Sequence, residues 1–350
     1  MNDRKHLLEV DDLTVSFETE DGTVRAVDHA SFFLNAGEIL CLVGESGSGK
    51  SVMTSSLIGL TRAENASFSG TAHYDGVELI NAPERTLEHI RGAQIAVIPQ
   101  DPMTALDPVL RIGDQIAEQI RAHVDVARAE ALDRAVELMD RVGIPQARTR
   151  IRAFVHEFSG GMRQRIMIAM ALSCDPRLIV ADEPTTALDV TIQAQILHEL
   201  ADLCRETGTA LILVTHDFGV VAELADRVVV MYGGRIVEQA TVTELFDDPQ
   251  HPYTWGLLGS VPRVDRPRSE RLPTIAGAPP SLVRPPTGCH FAPRCPHRFE
   301  RCVEVPPLEA RLPSQPDHRD RCWLDVDEKR RLRIVCGEIG LASRAERSVG

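Results

Sequence analysis

The alternation of apolar and polar positions changes character several times along the chain. Residues 7–35, "LLEVDDLTVSFET" and "TVRAVDHASFFL", alternate with a period of two around Asp21-Gly22, a turn signal, which predicts an antiparallel β layer. From residue 39 onward short apolar runs precede helical patterns, the arrangement of a parallel α/β core. "ILCLV" and the runs at 178–182, 210–215 and 227–232 have the length of buried strands. Between about 101 and 175 strand signals vanish. There "LDRAVELMDRV" sets Leu132, Val136, Met139 and Val142 at helical spacing, which predicts a helical insert. Past 240, 13 of the 22 prolines fall between Pro262 and Pro316, a density that regular helices and sheets do not tolerate. The pattern therefore divides the chain into an α/β domain over 1–240 and an irregular Cys/Pro-rich extension over 241–350.

The octet "GESGSGKS", Gly44 to Ser51, follows the strand "ILCLV" and precedes a helix, the two contexts that a phosphate-binding G-x-x-x-x-G-K-[ST] loop requires. Gly44, Gly47 and Gly49 let the backbone turn tightly past Glu45, Ser46 and Ser48, so that successive amides face phosphate oxygens. Lys50 can reach the β and γ phosphates of ATP, and the Ser51 hydroxyl can meet Mg²⁺. "PRLIVADEP" ends a strand in Asp182 and Glu183. Neighbouring side chains alternate across a strand, so Asp182 can serve Mg²⁺ while Glu183 orients and polarises an attacking water. "ALILVTHDF" ends another strand at His216, and Gln100 closes the run "AVIPQ", within reach of Mg²⁺ or the water. A lone Asp-Glu pair, His or Gln at such a place is ordinarily a turn or capping residue. Their shared position at strand ends is what gives them weight.

"EFSGGMRQRIMIAMAL", 157–172, places Ser159 as an N-cap and Gly160-Gly161 in the first turn, where each glycine weakens a helix by about 1 kcal/mol relative to Ala. The bare amides leave an anion-binding helix start, and the uniformly apolar stretch from Ile166 to Leu172 implies a buried helix. The order GESGSGKS, Gln100, FSGGM, LIVADEP, TALD at 186–189 and His216 resembles the nucleotide-binding subunit of an ABC transporter, over residues 1 to about 240. Phe158 and Met162 replace the Leu and Gln usual in that signature, in the form typical of peptide-importer subunits. "QHPYTWGLL" resembles the start of the extension carried by oligopeptide and dipeptide importer subunits. The resemblance implies an ABC-type P-loop NTPase fold and a head-to-tail pair of ATPase chains, the second one a related chain. ATP would lie between the 44–51 loop of one chain and Ser159, Gly160 and Gly161 of the other, with Asp189 at the interface and Phe17 stacking on adenine. It also implies two transmembrane permease subunits, a substrate-binding protein and a place at the cytoplasmic face of the membrane.

Composition narrows the alternatives. Residues 1–240 carry a net charge of −15 and residues 241–350 carry +2, which argues against nucleic acid as a partner. A soluble ABC-type ATPase acting on nucleic acid or ribosomes is thereby disfavoured; importers of nickel or another small solute stay open. No apolar run approaches the roughly 18 residues of a membrane span, and the first residues lack the apolar core of a signal peptide, so a cytosolic chain docked on separate membrane subunits is expected. Cys289, Cys295, Cys302 and Cys322 are spaced C-x5-C-x6-C-x19-C, whereas Cys41, Cys174 and Cys204 lie in apolar or helical contexts. Four thiolates satisfy a [4Fe–4S] cluster or Zn²⁺, and either would supply order to the proline-rich segment; cysteines that hold no metal are the third reading. The lack of C-x2-C knuckles tilts the spacing toward the cluster.

Overall fold

A computed structural model describes residues 6–185, 189–260 and 275–333. Thr186, Ala187 and Leu188 of the TALD run, Pro262 and Cys336 lie outside the described residues. The described strands are β1 (Leu8–Thr19), β2 (Gly22–Leu34), β3 (Ile39–Val43), β4 (Ala66–Tyr74), β5 (Val77–Glu78), β6 (Ile95–Ile98), β7 (Leu178–Asp182), β8 (Ala210–Val214), β9 (Arg227–Tyr232), β10 (Arg235–Thr241), β11 (Glu309–Ala310) and β12 (Arg319–Asp320).

Two sheets result. The first, ordered β2-β1-β4-β5, is antiparallel and contains the predicted N-terminal layer. The second runs β11-β12-β10-β9-β3-β8-β7-β6, and its stretch from β9 to β6 is parallel. Every residue of β3, β8 and β9 is buried, as a parallel strand covered on both faces requires. Successive side chains of β3 enter opposite cores. Leu40 and Leu42 join Leu13 and Val27 of the antiparallel layer, whereas Cys41 and Val43 join residues of the helical side such as Ile168 and Leu200.

The block between 101 and 175 is helical, with Ile112–His123, Arg128–Arg141 and Gly160–Leu172 as its main helices. Met139 and Val142 are buried as the spacing predicts, whereas the first half of that face shifts by one position. Ala131, Ala135 and Met139 are fully buried, while Leu132 and Val136 are only partly buried. Small alanines let the helices approach closely, and the branched side chains flank the contact. In Gly160–Leu172 the expected burial holds, from Ile166 to Leu172 with Met170 half-buried.

The extension adds strands to the main sheet. β12 pairs with β10 through Glu238 opposite Asp320 and Gln239 opposite Arg319, and β11 pairs with β12. Behind this junction lies a buried carboxylate. Glu238, 0% exposed, accepts hydrogen bonds from the Gln250 amide at 2.6 Å and the His251 amide at 2.9 Å, and pairs with His318 Nε2 at 2.8 Å. Burial opposes its ionisation, but the His318 hydrogen bond and charge win and hold it below the usual carboxylate range. Burial likewise opposes the His318 charge, and Glu238 overcomes it, raising the imidazole above its ordinary 6.5. A second buried pair, Lys329 Nζ to Asp320 Oδ1 at 2.7 Å, secures β12 from the other side.

A group with a raised folded pKa contributes fully below its unfolded value and loses that contribution as pH rises through the folded one. His318→Gln should therefore destabilise the chain by about 3 kcal/mol near pH 6, because it leaves Glu238 buried beside a neutral partner. The gap to the wild type should narrow as pH rises above the ordinary imidazole value and through the raised one of the folded chain, where His318 loses its charge in both states. Denaturant melts across that range check it; a gap that stays constant would refute the charged pair.

Candidate functional site

The 44–51 loop is shaped by steric necessity. Gly44 and Gly49 have φ of 153° and 100°. A Cβ at Gly44 would lie 2.2 Å from Met231 O, and one at Gly49 would lie 2.1 Å from Ala26 O. The loop is thus wedged between β9 and β2, and only glycine allows the approach. Ser46 and Gly47 form its exposed tip. Lys50 is buried and donates to Gly44 O at 2.8 Å and Glu45 O at 3.0 Å. Burial lowers its pKa, and the charges of Glu183, Asp182 and Glu45 act in the opposite direction. The Ser48 hydroxyl, also buried, has no protein partner.

Because β3, β8 and β7 are adjacent and parallel, their carboxyl ends lie along one edge. Ser51, at the start of the helix Lys50–Leu57, donates to Asp182 Oδ1 at 3.0 Å across that edge. A hydroxyl and a carboxylate are hard oxygen donors of the kind Mg²⁺ takes, so the pair fits that ion. Burial raises the Asp182 pKa; the Ser51 bond opposes this and the Glu183 charge adds to it. Glu183 adopts φ 43°, an unusual conformation for a residue with a side chain, and its amide donates to Val214 O at 3.0 Å. Its carboxylate meets Gln100 Nε2 at 3.5 Å and His216 Nδ1 at 3.7 Å. Five residues read from four strand ends, Ser51, Gln100, Asp182, Glu183 and His216, are therefore gathered at one edge.

Other expected residues stand apart. Ser159 caps the helix Gly160–Leu172, its Oγ accepting from the Met162 amide at 3.4 Å, and is exposed with Gly160. No hydrogen bond or ion pair among the described residues links Ser159, Gly160 or Gly161 to the 44–51 loop. Asp189 is an exposed N-cap position whose carbonyl, not its side chain, engages the helix Val190–Thr207, through Gln193. Phe17 is half-buried on β1, opposite Val24 and Ala66, and packs on the core of the antiparallel layer.

Cys289, Cys295, Cys302 and Cys322 line one cavity together with His251 and His297. All four thiols are free. Burial pushes Cys295 and Cys322 up to about 12 and raises Cys289 as well. Among the described residues no group of three or more His, Cys, Asp or Glu side chains is arranged to hold a metal ion. The metal reading of these cysteines thus finds the donors gathered but not closed on one point.

Two residues that the sequence reading left out reach Glu45 from beyond residue 250. Its amide donates to Tyr253 Oη at 2.9 Å, and its carboxylate accepts from Arg294. Tyr253 belongs to the HPY run, yet nothing in the sequence pattern points it at the loop.

Comparison with known proteins places two family models on the chain. Residues 27–186 match the family model "ABC transporter", and residues 237–302 match "Oligopeptide/dipeptide transporter, C-terminal region". The oligopeptide transport ATP-binding protein OppD of Salmonella typhimurium is 53% identical over 92% of this chain and 95% of its own length. The dipeptide transport ATP-binding protein DppD of Bacillus subtilis is 46% identical over 95% of this chain and 98% of its own. Among solved structures, a dimeric post-hydrolysis state of the ATP-binding cassette MJ0796 bound to ADP and Pi superposes with a TM-score of 0.60. It covers 67% of this chain and 98% of its own length at 24% identity, a likeness of fold. With about half of its residues shared along nearly the full length of such relatives, the chain belongs to the ATP-binding proteins of oligopeptide and dipeptide ABC transporters.

Proposed function

We propose that this chain is the ATPase subunit of a peptide importer, binding and hydrolysing ATP to drive uptake through separate transmembrane subunits. The observation that carries the reading is the meeting of Ser51 with Asp182, and of Glu183 with Gln100 and His216, at the mouth of the 44–51 loop. In this reading the loop amides and Lys50 grip the β and γ phosphates. Ser51 and Asp182 would hold Mg²⁺, assisted by Gln100; the ion supplies charge neutralisation between the phosphates. Glu183 orients a water and accepts its proton, and His216 fixes that geometry through a hydrogen bond. Ser159, Gly160 and Gly161 sit at an open helix start, available to cap the ATP of a second, related ATPase chain. Asp189 then lies at the interface, and Phe17 offers adenine a partly exposed face.

No helix among the described residues is long and apolar enough to cross a membrane, which fits attachment to two permease subunits at the cytoplasmic face. Exposed Met103, Val109 and Leu110, close behind Gln100 in the chain, offer an apolar surface for that attachment. A substrate-binding protein would complete the importer.

For the extension we favour a [4Fe–4S] cluster on Cys289, Cys295, Cys302 and Cys322 over Zn²⁺. A single tetrahedral ion needs four thiolates on one point, whereas a cluster needs them spread around a cube. The four thiols line one cavity, which gathers the donors either group would need, and the C-x5-C-x6-C-x19-C spacing without C-x2-C knuckles is what favours the cluster.

Two measurements test these assignments. Glu183→Gln should retain ATP binding and lose turnover by at least about a hundredfold; phosphate release near the wild-type rate would remove Glu183 as the base. Full chain purified without oxygen should carry about four irons and absorb broadly in the visible range, with both lost in Cys302→Ser. One zinc per chain instead would return the site to Zn²⁺, and neither metal would end the metal reading.

A further inference from the structure

Glu45, the second residue of the phosphate loop, has all of its polar groups engaged. Its N–H donates to Tyr253 Oη at 2.9 Å, and its C=O accepts from Lys50 Nζ at 3.0 Å and from the Ser48 amide at 3.2 Å. Its carboxylate accepts from Arg294 Nη1 at 2.6 Å and Nη2 at 3.0 Å, a two-pronged pair. Arg294 lies between Cys289 and Cys295, and its side chain is only 5% exposed. Its remaining donors are also filled. Nε reaches Ala276 O at 2.9 Å, Nη2 reaches Ile275 O at 3.1 Å, and Nη1 reaches Tyr232 Oη at 3.3 Å. All five N–H groups of the guanidinium are thus in use, so the side chain has one position and cannot swing away from the loop.

This placement answers an electrostatic difficulty. Lys50 sits in the field of three carboxylates, Glu183, Asp182 and Glu45. Two of these have work assigned to them in the reading above. The third would repel a triphosphate and compete for Lys50. Arg294 neutralises it and fixes the turn that carries the lysine's two carbonyl partners, Gly44 and Glu45.

We propose that Arg294, supplied by the cysteine-bearing extension, is a positioning residue for nucleotide binding that acts by pinning and neutralising Glu45. The extension is then part of the nucleotide site of its own chain. The inference rests on the ATPase reading. It concerns ground-state grip on the phosphates, so its signature is a change in KM with kcat preserved.

The test is steady-state ATPase kinetics of the full chain in its assembled complex, for wild type, Arg294→Gln, Arg294→Lys, Glu45→Gln and the Arg294→Gln/Glu45→Gln pair. Arg294→Gln should raise KM for ATP at least about tenfold with kcat within about twofold, and Arg294→Lys, keeping charge without the fork, should fall between. Glu45→Gln removes the carboxylate that Arg294 restrains. On that background Arg294→Gln should add less than about twofold to KM, a rescue that loss of folding would not produce. An unchanged KM in Arg294→Gln, or an equal penalty with and without Glu45→Gln, would overturn the proposal. A wild-type complex that hydrolyses no ATP would instead overturn the ATPase reading beneath it.

Discussion

A site that must grip a polyanion is built here around one buried cation, Lys50, among carboxylates. Every other feature of the loop follows from making that arrangement tolerable. Backbone amides supply positive potential without bringing counter-charges, which is why the loop turns as it does and why glycine stands where it presses on β9 and β2. Ser51 engages Asp182, and Glu183 is drawn toward His216 and Gln100, so neither carboxylate faces the lysine alone. Glu45 is the remaining one, and the guanidinium of Arg294 answers it.

Much of this was legible in the sequence because its physics is local. A glycine-rich octet between an apolar run and a helix, and acidic or imidazole residues at the ends of apolar runs, need only the rule that ligands gather at the carboxyl edge of a parallel sheet. The strands carrying those ends, β3, β7 and β8, lie where the pattern puts them. Long-range pairing was not legible. β4, "ASFSGTAHY", does alternate, with Ala66, Phe68, Ala72 and Tyr74 on one face and Ser67, Ser69, Thr71 and His73 on the other, but nothing in that pattern names β1 as its partner; β11 and β12 have two residues each, too few for any periodicity to mark them. In the helix Arg128–Arg141 Met139 lies on the expected core face, but leucine and valine advertise such a face more loudly than Ala131 and Ala135, which complete it. Tyr253 and Arg294 were missed for the same reason. Their partner, Glu45, lies more than 200 positions earlier in the chain.

Proline density leaves the extension without regular structure as a means of order. The structure gives it one besides any metal: Glu238, sealed under two backbone amides and the His318 ring. Such a carboxylate is costly to bury unless each partner is in place, so it favours one docking geometry over looser alternatives. The same geometry carries Tyr253 and Arg294 to the loop. Docking of the extension and shaping of the nucleotide site are thus one event.

The pairing of β12 along β10 has a consequence for any shortened form of this protein. In the whole chain β10 is flanked on both sides, by β9 and by β12. Remove the segment that ends in β12 and a row of backbone donors and acceptors is left uncovered beside Val237 and Ala240, residues otherwise shielded from water. An open rim of that kind invites strand addition by a neighbouring molecule. A trimmed ATPase core would tend to self-associate for want of a border.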